Sequence, residues 1–582
     1  MKTLQRTLQP ALSLLIGALV LTSAVAQEGD FLMDIGFRPT EHGFSFPNYG
    51  NDSVSANLTS VEMVRLFGEK VCSGPLDSEG GCRLRPTAQL WMEEISEAMD
   101  GGHCEGMAVL ALLFYGEYIS PADFGGELAS DLSLEDELLQ REIALWWATQ
   151  ATSPVTDNMI RDLPSKMVQM LIDSMEEEFY TVGIYLPDGS GGHAITPYAV
   201  VDMGDGLYHI MVYDNNYPGE ERFIEVNVEE DTWVYTGSTN PEEAEEEYFG
   251  DAGTRTLELT PMLPRLDRQR CEFCGTATYG GSDDSNDEGE GMEISFNGSI
   301  ALRITDNKGN NFVIDPAKSG FPQLPKGYRL VRGKSQFGGN SMADNTIIQI
   351  TDPAVTSIGV SGNHPMDSAN APKLLADERG QTANPANAGK EATSVKITRR
   401  GAVTTISGLR LGEKPINFTI ERNKVSYEGV DSEETELRFR QAVSAGSGKD
   451  FLYDFSGATG RFELELDGET GGVRVAADED GSTFSLRVDR YDEDGNVVSY
   501  ERDEFELDGS GFARLDAADW GDTLDILIVD ADGNIITSFS YDNAFDDDDV
   551  NGTDVGVGED GSADDDNAND GGADDGDSGG GG

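Results

Sequence analysis

The sequence predicts a multidomain chain: an α+β N-terminal domain, all-β sandwich-type modules behind it, and a disordered acidic tail. Three observations carry this. Apolar residues recur at helical spacing up to about residue 180, and strand-like segments with turn signals follow to about 265. From 291 to 545 short alternating segments are separated by Gly- and Asp-rich turns. From 546 to 582 there is no Lys, Arg or aromatic residue, so that segment cannot bury a core. At 582 residues the chain is also too long for one domain.

The elements follow in order. Lys2 and Arg6, an apolar run over 11–21 and the Ala24-Val25-Ala26 site read as a secretory signal peptide over 1–26, cleaved near Ala26. The expected location is therefore secreted or at the cell surface, with no integral membrane segment. A domain over 27–265 starts with helices predicted at Ser60–Phe67 (Ser60 as N-cap), Pro86–Met99, from Cys104 onward, Ser133–Thr149 and Pro164–Phe179. Strands are predicted at 181–186, 194–202, 208–213, 222–228 and 232–235. An acidic linker spans 266–290. Two β-sandwich-like domains are expected at 291–448 and 449–545, with a long Ala/Asn/Pro-rich loop over 362–394.

A formal charge of −66 and a pI near 4.1 repel nucleic acid and anionic lipid, so no nucleic-acid partner is expected. Such acidity suits a solvated surface, high-salt water or Ca2+ binding. No cofactor is assigned, because no specific calcium motif is present. The runs 492–496 and 530–534 have glycine too early and no Glu at the twelfth position for an EF-hand. Asp-Gly between alternating strands is instead a hairpin signal.

Five cysteines fall in this exported chain. Cys72 and Cys82 bracket a Gly/Ser/Pro-rich loop, and Cys271 and Cys274 close a short ring, so two disulfides are expected. A four-thiolate zinc site is disfavoured by the Cys72–Cys82 spacing and the export signal, and no metal is expected. Cys104 is left over, and an unpaired thiol in a secreted protein stands out. It follows Gly101-Gly102-His103 and opens an apolar helix. The unpaired N–H groups and partial positive charge of a helix start favour thiolate over thiol. Gly192-His193-Ala194 places an imidazole at a strand start, and Val212-Tyr213-Asp214-Asn215-Asn216 ends the next hairpin strand in polar residues. A base that takes a proton from a thiol needs a third group to orient it. Asp214 is the first choice and Asn216 the second.

The pieces Gly102-His103-Cys104-Glu105-Gly106-Met107, Gly192-His193-Ala194 and Val212-Tyr213-Asp214-Asn215-Asn216 follow the chain order of papain-like cysteine peptidases. Residues 27–265 resemble that superfamily. The spacing from Cys104 to His193 is shorter than papain's roughly 130–150 residues and looks more like the compact bacterial members, such as the bacteriocin leader peptidases. The resemblance implies Cys104 as nucleophile, His193 as general base and acid, Asp214 as orienting residue, and a peptide or protein substrate. It also implies an oxyanion held partly by the Cys104 N–H. Glu105 stands where the family has Trp. No Gln stands just before the cysteine; Gln89 is the nearest, and His103 is an alternative donor. Transglutaminase-like acyl transfer uses the same three residues. An inactive cell-surface binding or adhesion protein is the competing class, with the β-modules open to a surface or carbohydrate ligand.

Overall fold

The computed structural model describes residues 29–276, apart from 55, 188–190, 239–240 and 242–244. It then describes residues 291–542, apart from stretches between strands, the longest being 364–391. The expected signal peptide, most of the linker, the acidic tail and the 492–496 turn lie outside the described residues.

The N-terminal body combines helices with one antiparallel sheet. Strand β1 (Asp30–Asp34) and a single turn α1 (Pro39–His42) lead in. Helix α2 (Ser60–Phe67) is capped by Thr59, not Ser60. The Thr59 hydroxyl accepts from the Val61 N–H, and Glu62 reaches back to the Thr59 N–H in a capping box. Ser60 accepts from the Cys82 N–H instead. Pro86 opens α3 (Pro86–Ala98), where its missing N–H costs nothing. Helix α4 (Cys104–Tyr115) is apolar on every side and buried down to Phe114, so it forms the centre of the body. Helix α5 (Glu137–Ala148) starts four residues later than Ser133, because the Asp136 carboxylate accepts from the Leu138 and Leu139 N–H groups. Two further helices follow, α6 (Ser153–Thr156) and α7 (Pro164–Ser174).

The sheet contains β2 (Tyr180–Ile184), β3 (His193–Gly204), β4 (Leu207–Tyr213), β5 (Arg222–Asn227), β6 (Thr232–Gly237), β7 (Glu246–Asp251) and β8 (Leu257–Pro261). Their order is β7-β6-β5-β4-β3-β2-β8, with β1 on the second half of β3. The three strands that sequence reasoning missed, β1, β7 and β8, border the strands it found. Pro197 sits inside β3 at a register shift, where a ladder N–H is not needed.

The N-terminal body does not stop at 265. A last turn, α8 (Leu263–Leu266), leads to Gln269, whose N–H donates to the Leu66 carbonyl at 2.8 Å. Phe273 is buried edge-on to Phe67 and stacked on Trp91. The Cys271–Cys274 disulfide closes the turn that presents it, and Cys72 pairs with Cys82. Residues 266–276 therefore belong to this body and not to a linker.

The second half of the chain forms two antiparallel sheets of ten and nine strands. The expected boundary at 448 is not a break between domains. Lys424–Glu428 pairs with Phe462–Leu466 in the larger sheet, and Leu437–Ser444 pairs with Asp450–Ala458 in the smaller one. One apolar core runs through both halves, from Ile294 and Ile304 to Leu486 and Val488. Hairpins that alternate between the sheets extend both edges together, so the two expected sandwiches are one continuous sandwich. It also packs on the N-terminal body: Arg85 binds Asp450 at 2.9 Å, and Glu94 pairs with Lys396.

Candidate active site

Gly102 turns the chain into α4 with φ +125°, a conformation glycine adopts without strain. The His103 N–H then donates to the Asn48 side-chain oxygen at 2.8 Å. This seats Cys104 as the first residue of α4, where peptide N–H groups face outward from the helix end. The helix is held tightly from behind: a Cβ on Gly106 would lie 2.1 Å from the Ile143 carbonyl oxygen of α5. Cys104 is free of disulfides and only 1% exposed.

Strand register brings its neighbours in. Thr196 of β3 pairs with Tyr213 of β4, so residues just past Tyr213 lie beside the start of β3. His193 Nε2 is 2.8 Å from Asp214 Oδ1, and both side chains are buried. The other ring nitrogen remains for the hydrogen bond between His193 and Cys104. Burial pushes the imidazole pKa down, but the charge and hydrogen bond of Asp214, with smaller contributions from Cys104, carry it up to about 10. Burial alone would raise the Asp214 pKa. The His193 charge and hydrogen bond, the Tyr235 hydroxyl and the Asn216 N–H hold it below the usual carboxylate range.

Three groups around this set were not singled out from sequence. Tyr235 on β6 donates its hydroxyl to Asp214 Oδ2. Asn215 donates from one amide nitrogen to the carbonyls of Cys104 and Ala194, both at 3.0 Å, tying the helix start to the histidine strand. Glu105 is wholly buried in an ion pair with Arg265 and accepts from Thr181 at 3.1 Å. Asn215 lay inside the polar run that sequence reading had marked, whereas nothing local marks Tyr235 or Arg265.

The remaining expected site residues fall elsewhere. Asn216 does not contact the imidazole; its N–H donates to Asp214 Oδ1 at 2.9 Å and its amide to the Ser238 carbonyl. Gln89 is not an oxyanion donor here, because its amide donates to Glu93 one turn further along α3 at 2.9 Å. His103 is committed as well. Its Nδ1 donates to the Tyr49 carbonyl at 2.8 Å, its Nε2 lies 3.0 Å from the Asn57 side-chain oxygen, and its ring stacks on Tyr49. Burial lowers its pKa to about 4, so the ring is neutral.

Among the described residues no group of three or more His, Cys, Asp or Glu side chains is placed to hold a metal ion. No described helix is long and apolar enough to cross a membrane. Cysteine, imidazole and carboxylate in series can activate a thiolate, hold it as an ion pair, and return the proton to a leaving group. No family model, curated protein or solved structure matches this chain.

Proposed function

We propose that the N-terminal body is a secreted cysteine peptidase of papain-like type, acting on a peptide or protein. The observation that carries this reading is the buried imidazole bound on one side to Asp214 and on the other to a cysteine that opens a helix. In this mechanism the Cys104 proton rests on His193, leaving a thiolate beside an imidazolium. The thiolate sulfur forms a bond to the substrate carbonyl carbon, and the carbonyl π electrons move to oxygen. The helix-start N–H groups donate to that oxyanion. Collapse breaks the C–N bond, and the imidazolium proton goes to the leaving amine. Water, deprotonated by the now neutral His193, attacks the thioester. The acid product leaves and the thiolate–imidazolium pair is restored. Asp214, held by Tyr235 and the Asn216 N–H, keeps the ring oriented through both proton transfers. An amine in place of water would make the same intermediate a transglutaminase-type acyl transfer.

A second reading, a surface binding protein with an idle triad, draws on one observation: Cys104 and His193 are each 1% exposed. One experiment separates the two. Alkylation of Cys104 by iodoacetamide is followed against pH in the mature protein and in His193→Ala. Catalytic geometry gives a reactive plateau that extends below about pH 6 and is lost in the variant. Reaction only above about pH 8, the same in both proteins, refutes the peptidase reading.

A further inference from the structure

We propose that Asn48 is the side-chain donor of the oxyanion site: its amide nitrogen and the Cys104 backbone N–H together hold the carbonyl oxygen that turns negative as the thiolate attacks. The proposal rests on the peptidase reading and adds to it a residue that acts on the substrate itself.

Attack by sulfur on a carbonyl moves the π electrons onto oxygen. A full charge there is costly in a site where Cys104 and His193 are each 1% exposed. Donors fixed in advance lower that cost. The start of α4 offers its peptide N–H groups, and the residue before it, His103, makes no side-chain hydrogen bond to that first turn. A second donor belongs at the seam between the helix start and the end of β4, because Cys104 and His193 meet there.

Asn48 occupies that seam. Its backbone N–H donates to the carbonyl of Asn215, the residue after Asp214, at 2.9 Å. Its side-chain oxygen accepts from the N–H of His103, the residue before Cys104, at 2.8 Å. The Asn215 amide closes the frame by donating to the Cys104 carbonyl. A backbone N–H can only donate, so the Asn48 amide has one orientation, with its oxygen toward His103 and its NH2 group turned away. Amide bond lengths set that oxygen and nitrogen about 2.2 Å apart, so the nitrogen lies within about 5 Å of the His103 nitrogen. The next N–H along the chain is that of Cys104.

Asn48 is 3% exposed, yet among the described residues no acceptor meets its amide nitrogen. The neighbouring amides are spent. Asn215 donates to Cys104 and Ala194, Asn216 to Ser238, and Gln89 to Glu93. Of these amides Asn48 alone keeps its donors, and a substrate oxyanion is an acceptor of the right charge at the right place. The side chain is also held still. Tyr49 stacks on His103 with ring centres 4.3 Å apart. A Cβ on Gly50 would lie 2.6 Å from the Asp100 carbonyl oxygen, so this segment presses against the turn that leads into α4. A donor that need not move when the charge appears stabilises it most.

The test separates two reactions of one thiolate. With p-nitrophenyl acetate the sulfur bonds to the acetyl carbon through an oxyanion, the C–O bond breaks and nitrophenolate leaves. With iodoacetamide the sulfur displaces iodide from carbon, and no oxyanion forms. Both rates are measured at neutral pH on the full mature chain, with Cys104→Ala as background. In Asn48→Ala the His103 N–H retains the Tyr49 carbonyl at 3.1 Å, which favours an intact fold. Asn48→Asp keeps the side-chain shape and the acceptor for His103 but loses the donor hydrogens. The ratio of acylation to alkylation is expected to fall about 100-fold or more in both variants, while alkylation of Asn48→Ala stays within about threefold of the unmutated chain. A merely structural role slows both reactions together and leaves the ratio unchanged. That result, or unchanged acylation in either variant, overturns the proposal; if the unmutated chain still shows its low-pH alkylation plateau, the peptidase reading stands without Asn48. Absence of Cys104 acylation in the unmutated chain removes both.

Discussion

Replacing Arg265 by Met isolates the energetics behind the nucleophile. Arg265 and Glu105 have no side-chain exposure at all, and Glu105 directly follows Cys104 on α4. Removing the guanidinium leaves the Glu105 carboxylate buried with the Thr181 hydroxyl at 3.1 Å as a neutral donor. Arg265 also gives up its 2.6 Å hydrogen bond to the Thr149 hydroxyl. A buried charge stripped of its counter-ion costs about 3–5 kcal/mol. Replacing both members, as Glu105→Gln/Arg265→Met, removes the stranded charge and is expected to recover most of that loss. The surface pair Lys166–Asp162, with side chains 60% and 40% exposed, is the control; Lys166→Met is expected to cost less than about 1 kcal/mol. Urea unfolding followed by tryptophan fluorescence reads mainly this body, since four of the five tryptophans, Trp91, Trp146, Trp147 and Trp233, lie in it. A shift for Arg265→Met no larger than that for Lys166→Met, or a double variant as unstable as the single one, would refute the reasoning.

Further outcomes are open to measurement. The neutral, buried His103 has a pKa of about 4 against 6.5 when unfolded, so the unfolded chain binds the extra proton first. Its contribution is complete above pH 6.5 and is lost as pH falls toward 4. This amounts to about 3 kcal/mol, and the loss should be absent in a His103→Gln variant compared by urea midpoint against pH. Gly106→Ala forces a carbon to 2.1 Å from the Ile143 carbonyl oxygen and is expected to cost about 1–3 kcal/mol or more; an unchanged melting temperature counts against the tight helix contact. Tyr235→Phe removes a donor that helps keep Asp214 ionised, so the lower edge of the Cys104 alkylation plateau should move to higher pH while the fold persists by circular dichroism. Asn215→Ala leaves the Ala194 carbonyl without its donor and loosens the link to Cys104. It is expected to cost about 1–3 kcal/mol and to slow alkylation, and an unaltered rate excludes a positioning role.

Much of the fold was legible because periodicity reports burial. Helices α2, α3, α4, α5 and α7 announced themselves through apolar spacing, and β3 and β4 through the hairpin signal around Asp205-Gly206. The starts of α2, α3, α4 and α7 fell where the sequence put them, but the caps of α2 and α5 moved, and α5 began four residues late, because a cap is chosen by geometry: Thr59 and Asp136 reached the exposed N–H groups, while Ser60 and Ser133 did not. Strands β1, β7 and β8 are short and partly polar, and their pairing comes from partners far along the chain, so local alternation could not mark them. The boundary at 448 failed for a related reason. Turn signals say where a hairpin ends but not which sheet the next hairpin joins.

The sequence by itself determined the class of each half, the odd cysteine among two cysteine pairs, and the three residues worth watching. It could do so because glycine turns, capping chemistry and residue type act over a few positions. Only the tertiary structure decided who touches whom. It brought His193 between Cys104 and Asp214, placed Tyr235 behind the carboxylate and Arg265 against Glu105, and spent His103 and Gln89 on other partners. These choices depend on strand register and helix packing across tens to more than a hundred residues. There the long-range burial of apolar faces, and not the local chain, selects the neighbours.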